Sequence, residues 1–85
     1  MNASDLDKVR GFVAGMLRDH DDHGAFSDSE SLIKVGRLDS LSVVKLVTFL
    51  EGDFAVDFGE VEFDPQRLDS VNGIAAVIEE YRALH

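Results

Sequence analysis

The chain contains no cysteine, so neither a disulfide framework nor a thiolate metal site is open to it. It has no apolar run near the roughly 20 residues that span a bilayer. Its opening, MNASDLDKVR, carries no secretory apolar region. Basic side chains are scarce, with 8 Lys and Arg against 17 Asp and Glu and a net charge of −9. A surface of that sign repels phosphate backbones, which argues against nucleic acid as a partner; it would steer proteins with basic docking patches toward it or serve solubility alone, and charge does not separate the two. Repeats and low-complexity tails are absent. What is present is an apolar fraction of 45% over 85 residues, enough for one modest core and too little for two. The expectation is a soluble, cytoplasmic monomer, one domain over residues 1–85, held by packing alone and not inserted in a membrane.

Apolar spacing predicts an all-α fold, because no stretch alternates cleanly enough for a sheet. A first helix is expected from Ser4 to Asp19, where Ser4 and Asp7 have capping-box spacing. Leu6, Val9, Val13, Met16 and Leu17 form its buried stripe and Phe12 widens it. Gly11 and Gly15 weaken this helix by about 1 kcal/mol each relative to Ala. Residues 20–39 are rich in Asp, Ser and Gly, and read as a long ordered loop pinned by Phe26, Leu32, Ile33, Val35 and Leu38. Loops of that length are uncommon and often functional. A second helix should run from Ser40 to about Asp53, with the Asp39 carboxylate accepting from a first-turn N–H. Its apolar residues, Leu41, Val44, Leu46, Val47, Phe49, Leu50 and Phe54, make a face wider than a small core needs, so some should reach the surface as a docking face. Gly59 and Pro65 leave room for one helical turn near 59–63. The last helix is expected from about Asp69 or Ser70, carrying Ile74, Val77, Ile78, Tyr81 and Leu84.

Three stretches hint at chemistry. HDDH, residues 20–23, places two imidazoles among Asp19, Asp21 and Asp22, but nothing else supplies a further ligand set, so a solvated loop is the expectation and no metal is assigned. DFG, Asp57 to Gly59, echoes a kinase metal-binding triplet in a chain too short for a kinase; Phe58 and Phe63 are read as core plugs. Ser40 lies in no nucleophile elbow, and a bundle this small offers little room for a Ser-His-Asp substrate pocket, so no catalytic residue is assigned. A small polar residue at the start of a helix is commonplace. The first-turn N–H groups and the positive end of the helix dipole would nevertheless favour a phosphate there.

Taken together, Gly36, Leu38, Asp39, Ser40, Leu41, Leu46, Leu50, Glu51 and Phe54, in GRLDSLSVVKLVTFLEGDF, resemble the signature of acyl, peptidyl and aminoacyl carrier proteins. The likeness extends to Ser70 as the cap of the last helix and Ile74 in its core, covering about residues 4–82. It implies a four-helix carrier bundle of three main helices plus one short helix, with a long loop between helices 1 and 2. It also implies a 4′-phosphopantetheine arm, taken from coenzyme A, on Ser40. Asp39 would be the acidic neighbour read by a phosphopantetheinyl transferase and its magnesium ion, with Leu41, Val44 and Lys45 on the partner surface. Further partners would be an adenylating acyl or aminoacyl ligase that loads the thiol and a downstream acyl acceptor or transferase. Such a protein is not an enzyme; it holds and delivers a thioester.

Within that family the chain is most similar to D-alanyl carrier proteins, through Gly-x-Leu-Asp-Ser, Glu62-Phe63-Asp64 and Asn72. Fatty-acid carriers usually have Asp and Glu where Ser42 and Lys45 stand, and those acids dock on basic patches of synthases. Phe49 is bulky where the family often has a small residue, and it either narrows a cargo space or faces the core. The resemblance thus implies an aminoacyl or short-acyl cargo in a specialised or D-alanylation-like pathway, with a fatty-acid or polyketide carrier as the alternative. A different class of function is a helical interaction module without a prosthetic group.

Overall fold

The computed structural model describes residues 1–85 as three α-helices and one 3₁₀ turn, with no strand. Helix α1 spans Ala3–Asp19, α2 Ser40–Asp53 and α3 Val71–Ala83, and the 3₁₀ turn is Pro65–Leu68. The radius of gyration, 12.1 Å, matches the value of about 12 Å for a compact domain of this length. No helix is long and apolar enough to cross a membrane.

Helix α1 starts one residue before the sequence expectation because a better cap precedes Ser4. Asn2 is that N-cap, and its side chain accepts from the Asp5 N–H at 2.8 Å. Asp7 has no capping role and instead binds Arg10 at 3.1 Å. Val9, Val13, Met16 and Leu17 are buried as the stripe requires, while Leu6 and Phe12 pack against the core from its edge. Gly11 faces open space, so a Cβ there would touch nothing. Gly11→Ala should therefore raise stability by up to about 1 kcal/mol, an increase of about 4–8 °C in thermal melting.

Helix α2 has the predicted bounds, capped by Asp39. Leu46, Leu50, Phe54 and the unforeseen Val43 enter the core, and Leu41 and Val44 turn outward, about 60% exposed. The overly wide apolar face does reach the surface. Beyond α2 the short helix is displaced from its expected place. At 59–63 there is only a turn, closed by the N–H groups of Glu60 and Val61 on the Asp57 carbonyl. The 3₁₀ helix starts six residues later, where Asp64 caps it and Pro65 supplies a preset φ with no N–H to satisfy. Phe58 packs on the core, but Phe63 does not plug it: it lies edge-on to Phe58 and is about half exposed. Val56 and Val61 fill that space instead.

Helix α3 packs on α1 and on the 3₁₀ turn through Val71, Ile74, Val77 and Ile78. Ser70 is its N-cap, accepting from the Gly73 N–H at 3.1 Å. Leu84 is the C-cap of α3 and is exposed, contrary to its periodic position.

The long 20–39 segment is ordered, as expected, but only part of the anchoring is apolar. Leu32 and Leu38 are buried, Phe26 and Ile33 pack at the edge, and Val35 points outward. Polar ties complete the job. Leu32 N–H donates to the Asp69 carbonyl, and the Asp69 carboxylate accepts from the N–H groups of Ile33 and Lys34 at 2.7 and 3.1 Å. Burial pushes the Asp69 pKa up, but the Ser31 side chain and the Lys34 and Ile33 N–H groups outweigh it, leaving the pKa below the usual range.

Candidate functional site

The loop places Ser40 through two local devices. Gly36 has φ of +83°, a left-handed turn that an L side chain would strain, so the glycine before Leu38-Asp39-Ser40 has a geometric reason. Arg37 then closes the loop on itself. Its guanidinium donates to Asp22, to Glu30 and to the carbonyls of Gly24 and Ala25. Leu38 inserts into the core, and the chain enters α2 directly behind it.

The Arg37 clamp holds the Asp22 carboxyl down at about 2 from an ordinary 3.8, chiefly through the Arg37 hydrogen bonds and then the Gly24 N–H. A folded-state pKa below the unfolded one gives stability that is complete above the unfolded value and is lost as pH falls through the folded value. Between pH 3.8 and about 2 the loop should therefore loosen, seen as collapse of the dispersed amide signals of residues 20–39 in NMR spectra. Arg37→Gln should loosen it already at neutral pH.

Ser40 occupies the first position of α2, exposed, and its hydroxyl makes no hydrogen bond within the protein. Beside it Asp39 is exposed and fixed. Its Oδ1 accepts from the Ser42 N–H at 3.0 Å and from the Ser42 hydroxyl at 3.1 Å. Its pKa is lowered, first by the Ser42 N–H, against some desolvation, with the Ser42 hydroxyl and nearby His20 adding to the pull. Leu41, Val44 and Lys45 all face solvent on the first turns of α2, so the predicted partner residues share the neighbourhood of Ser40. Val35 adds a further exposed apolar side chain from the loop.

Ser42 behaves differently from the sequence expectation. It is 2% exposed, with its hydroxyl within 3.1 Å of both Asp39 Oδ1 and His20 Nε2. Ser42 is therefore not a surface position, whereas Lys45 is exposed. The HDDH side chains diverge: His20 goes to Ser42, Asp22 to Arg37, and His23 to Asp21 at 3.7 Å. No group of three or more His, Asp or Glu side chains gathers as a metal site.

His20 is singled out in the sequence only as part of HDDH; its pairing with Ser42 carries no sequence signal, because that partner lies 22 residues away and is reached only through the fold. The Ser42–His20–Asp39 group has the composition of a hydrolytic triad but not its geometry. The carboxylate lies on the serine, 3.9 Å from the same Nε2 that faces the hydroxyl, instead of on the far ring nitrogen.

Phe49 packs at the edge of the core and also borders a groove. It stacks on Phe12 at 4.2 Å and nearly parallel, and meets Phe54 edge-on, closing one side of the core. Its other side walls an open groove of about 880 Å³ between α1 and α2, with Val44, Lys45 and Thr48. A smaller groove of about 400 Å³ lies on the other side of α2, lined by Val43, Val47, Phe58 and Phe63. No protein-family model matches the chain, and no curated protein or solved structure matches it.

Proposed function

We propose that the chain is a carrier of the phosphopantetheine class, with Ser40 as the tether point. The observation that carries this reading is the placement of Ser40. Its hydroxyl is exposed and unengaged at the N-terminus of α2, with a fixed carboxylate beside it, inside the GRLDSLSVVKLVTFLEGDF pattern. The transfer would form a bond from Ser40 Oγ to the β-phosphorus of coenzyme A. The pyrophosphate bond breaks, adenosine 3′,5′-bisphosphate leaves, and the serine proton passes to a base of the transferase. The first-turn N–H groups and helix dipole favour the resulting phosphodiester anion. The attached arm supplies a thiol that carries cargo as a thioester. In this reading the 3₁₀ turn Pro65–Leu68 stands where a four-helix carrier bundle has its short helix.

The outward Leu41 and Val44, with Lys45 behind them, form the surface on which the transferase, an adenylating ligase and an acceptor enzyme would dock. Lys45 at a position that is acidic in fatty-acid carriers favours an aminoacyl or short-acyl cargo over a fatty-acid or polyketide one. Charging of the holo form by a panel of adenylating enzymes tests this, and preferential loading with long fatty acids would overturn it.

Incubation with coenzyme A and a broad-specificity transferase, followed by intact mass measurement, tests the carrier reading itself. One added phosphopantetheine is expected. The second reading, a helical interaction module, draws on the exposed Val35, Leu41 and Val44 side chains and predicts no mass change. Asp39→Ala should slow the transfer by about tenfold or more, the worth of a lost contact to a charged group. It should lower thermal stability by the lost helix cap together with the lost acceptor of the buried Ser42 hydroxyl. Unchanged transfer kinetics would reduce Asp39 to a cap.

A further inference from the structure

The hydrogen bonds around Asp39 have a direction. Ser42 Oγ has one proton, and it is donated to Asp39 Oδ1 at 3.1 Å. His20 Nε2, 3.1 Å from the same oxygen, must then carry a hydrogen and donate it to Ser42. A chain of donors thus runs from His20, which ends α1, through a buried hydroxyl to the carboxylate that begins α2. It joins the two ends of the long loop across 20 intervening positions of sequence, roughly, with no backbone contact between them needed.

This arrangement exceeds what a helix cap requires. The Ser42 N–H alone satisfies the capping role, at 3.0 Å from the same Oδ1. The added hydroxyl, backed by the imidazole, gives Oδ1 a second donor, so both of these hydrogen bonds fall on one oxygen of the carboxylate. Ser42 itself is buried and satisfied, and cannot be the tether.

We propose that His20 and Ser42 are positioning residues for the modification of Ser40: they hold Asp39 by one oxygen and present the other to the incoming transferase. The inference rests on the carrier reading above. It assigns a role to the end of α1 in a reaction that takes place at the start of α2. An Asp39 held by the cap N–H alone would sample more orientations than one that also accepts from the Ser42 hydroxyl, and the transferase would meet the productive one less often.

The test is the rate of arm transfer at varied carrier concentration for wild type, His20→Gln, His20→Phe and Ser42→Ala, each with a thermal melt. Glutamine places an amide N–H donor near the position of Nε2, whereas phenylalanine keeps the ring and loses the donor. His20→Phe and Ser42→Ala should lower kcat/KM for the carrier about fivefold or more, with the KM for coenzyme A unchanged. His20→Gln should stay within about twofold of wild type at whatever melting temperature it shows. Wild-type kinetics in His20→Phe would overturn the proposal. So would rates that follow melting temperature across the series, since that is the mark of a structural role. An unmodified wild type beside a labelled control carrier would instead overturn the carrier reading, and this inference with it.

Discussion

Gly73→Ala should remove much of the protein's stability although it adds a single methyl group. A Cβ at this position would lie 2.0 Å from the carbonyl oxygen of Arg67 and 3.0 Å from its carbon. Both are backbone atoms of the 3₁₀ turn, so no flexible side chain can swing away. Either α3 retreats from the turn or the turn unwinds. Each response also disturbs the Ser70 cap, whose hydroxyl accepts from the Gly73 N–H. Overpacking of this kind and a damaged cap together cost about 3 kcal/mol. That is a large share of the roughly 4–13 kcal/mol that a domain of this size possesses. Thermal melting should fall by about 12–24 °C, opposite in sign to the rise expected for Gly11→Ala. An unchanged melting temperature would mean that α3 and the 3₁₀ turn do not meet as described.

The contrast between these two glycines marks where sequence reading stopped. Gly11 and Gly73 are both helical, and propensity treats them alike. What separates them is a carbonyl brought in from Arg67, which no periodicity reveals. Helix α2 was legible to the residue because its cap, its apolar spacing and its end are all local. The short helix was misplaced because Gly59 and Pro65 both punctuate, and only the proline and the Asp64 cap select the true start. Val35, Phe63 and Leu84 sit at apolar positions yet face outward, since loop and chain-end side chains answer to the surface they happen to cover.

The candidate site divides in the same way. Asp39, Ser40, Leu41, Val44 and Lys45 lie in one short stretch, so their exposed placement at the start of α2 is legible locally. The burial of Ser42 is not legible in the sequence because its neighbour His20 is distant along the chain, and their hydrogen bond belongs to the tertiary fold. Arg37 passed as an ordinary loop residue for the same reason; its four partners lie between 7 and 15 residues away.

Ser40→Ala should abolish arm attachment without disturbing the fold. The hydroxyl is exposed and makes no hydrogen bond within the protein, and alanine is the strongest helix former, so stability should stay within about 0.5 kcal/mol of wild type. Loss of attachment with an unchanged melt would exclude unfolding as the cause. The most direct measurement is peptide mapping by mass spectrometry after exposure to coenzyme A and a broad-specificity transferase. Wild type should carry one phosphopantetheine, on the peptide that contains Ser40, and Ser40→Ala should carry none. A wild type left unmodified while a control carrier is labelled, or an arm found on any other residue, would contradict Ser40 as the tether point.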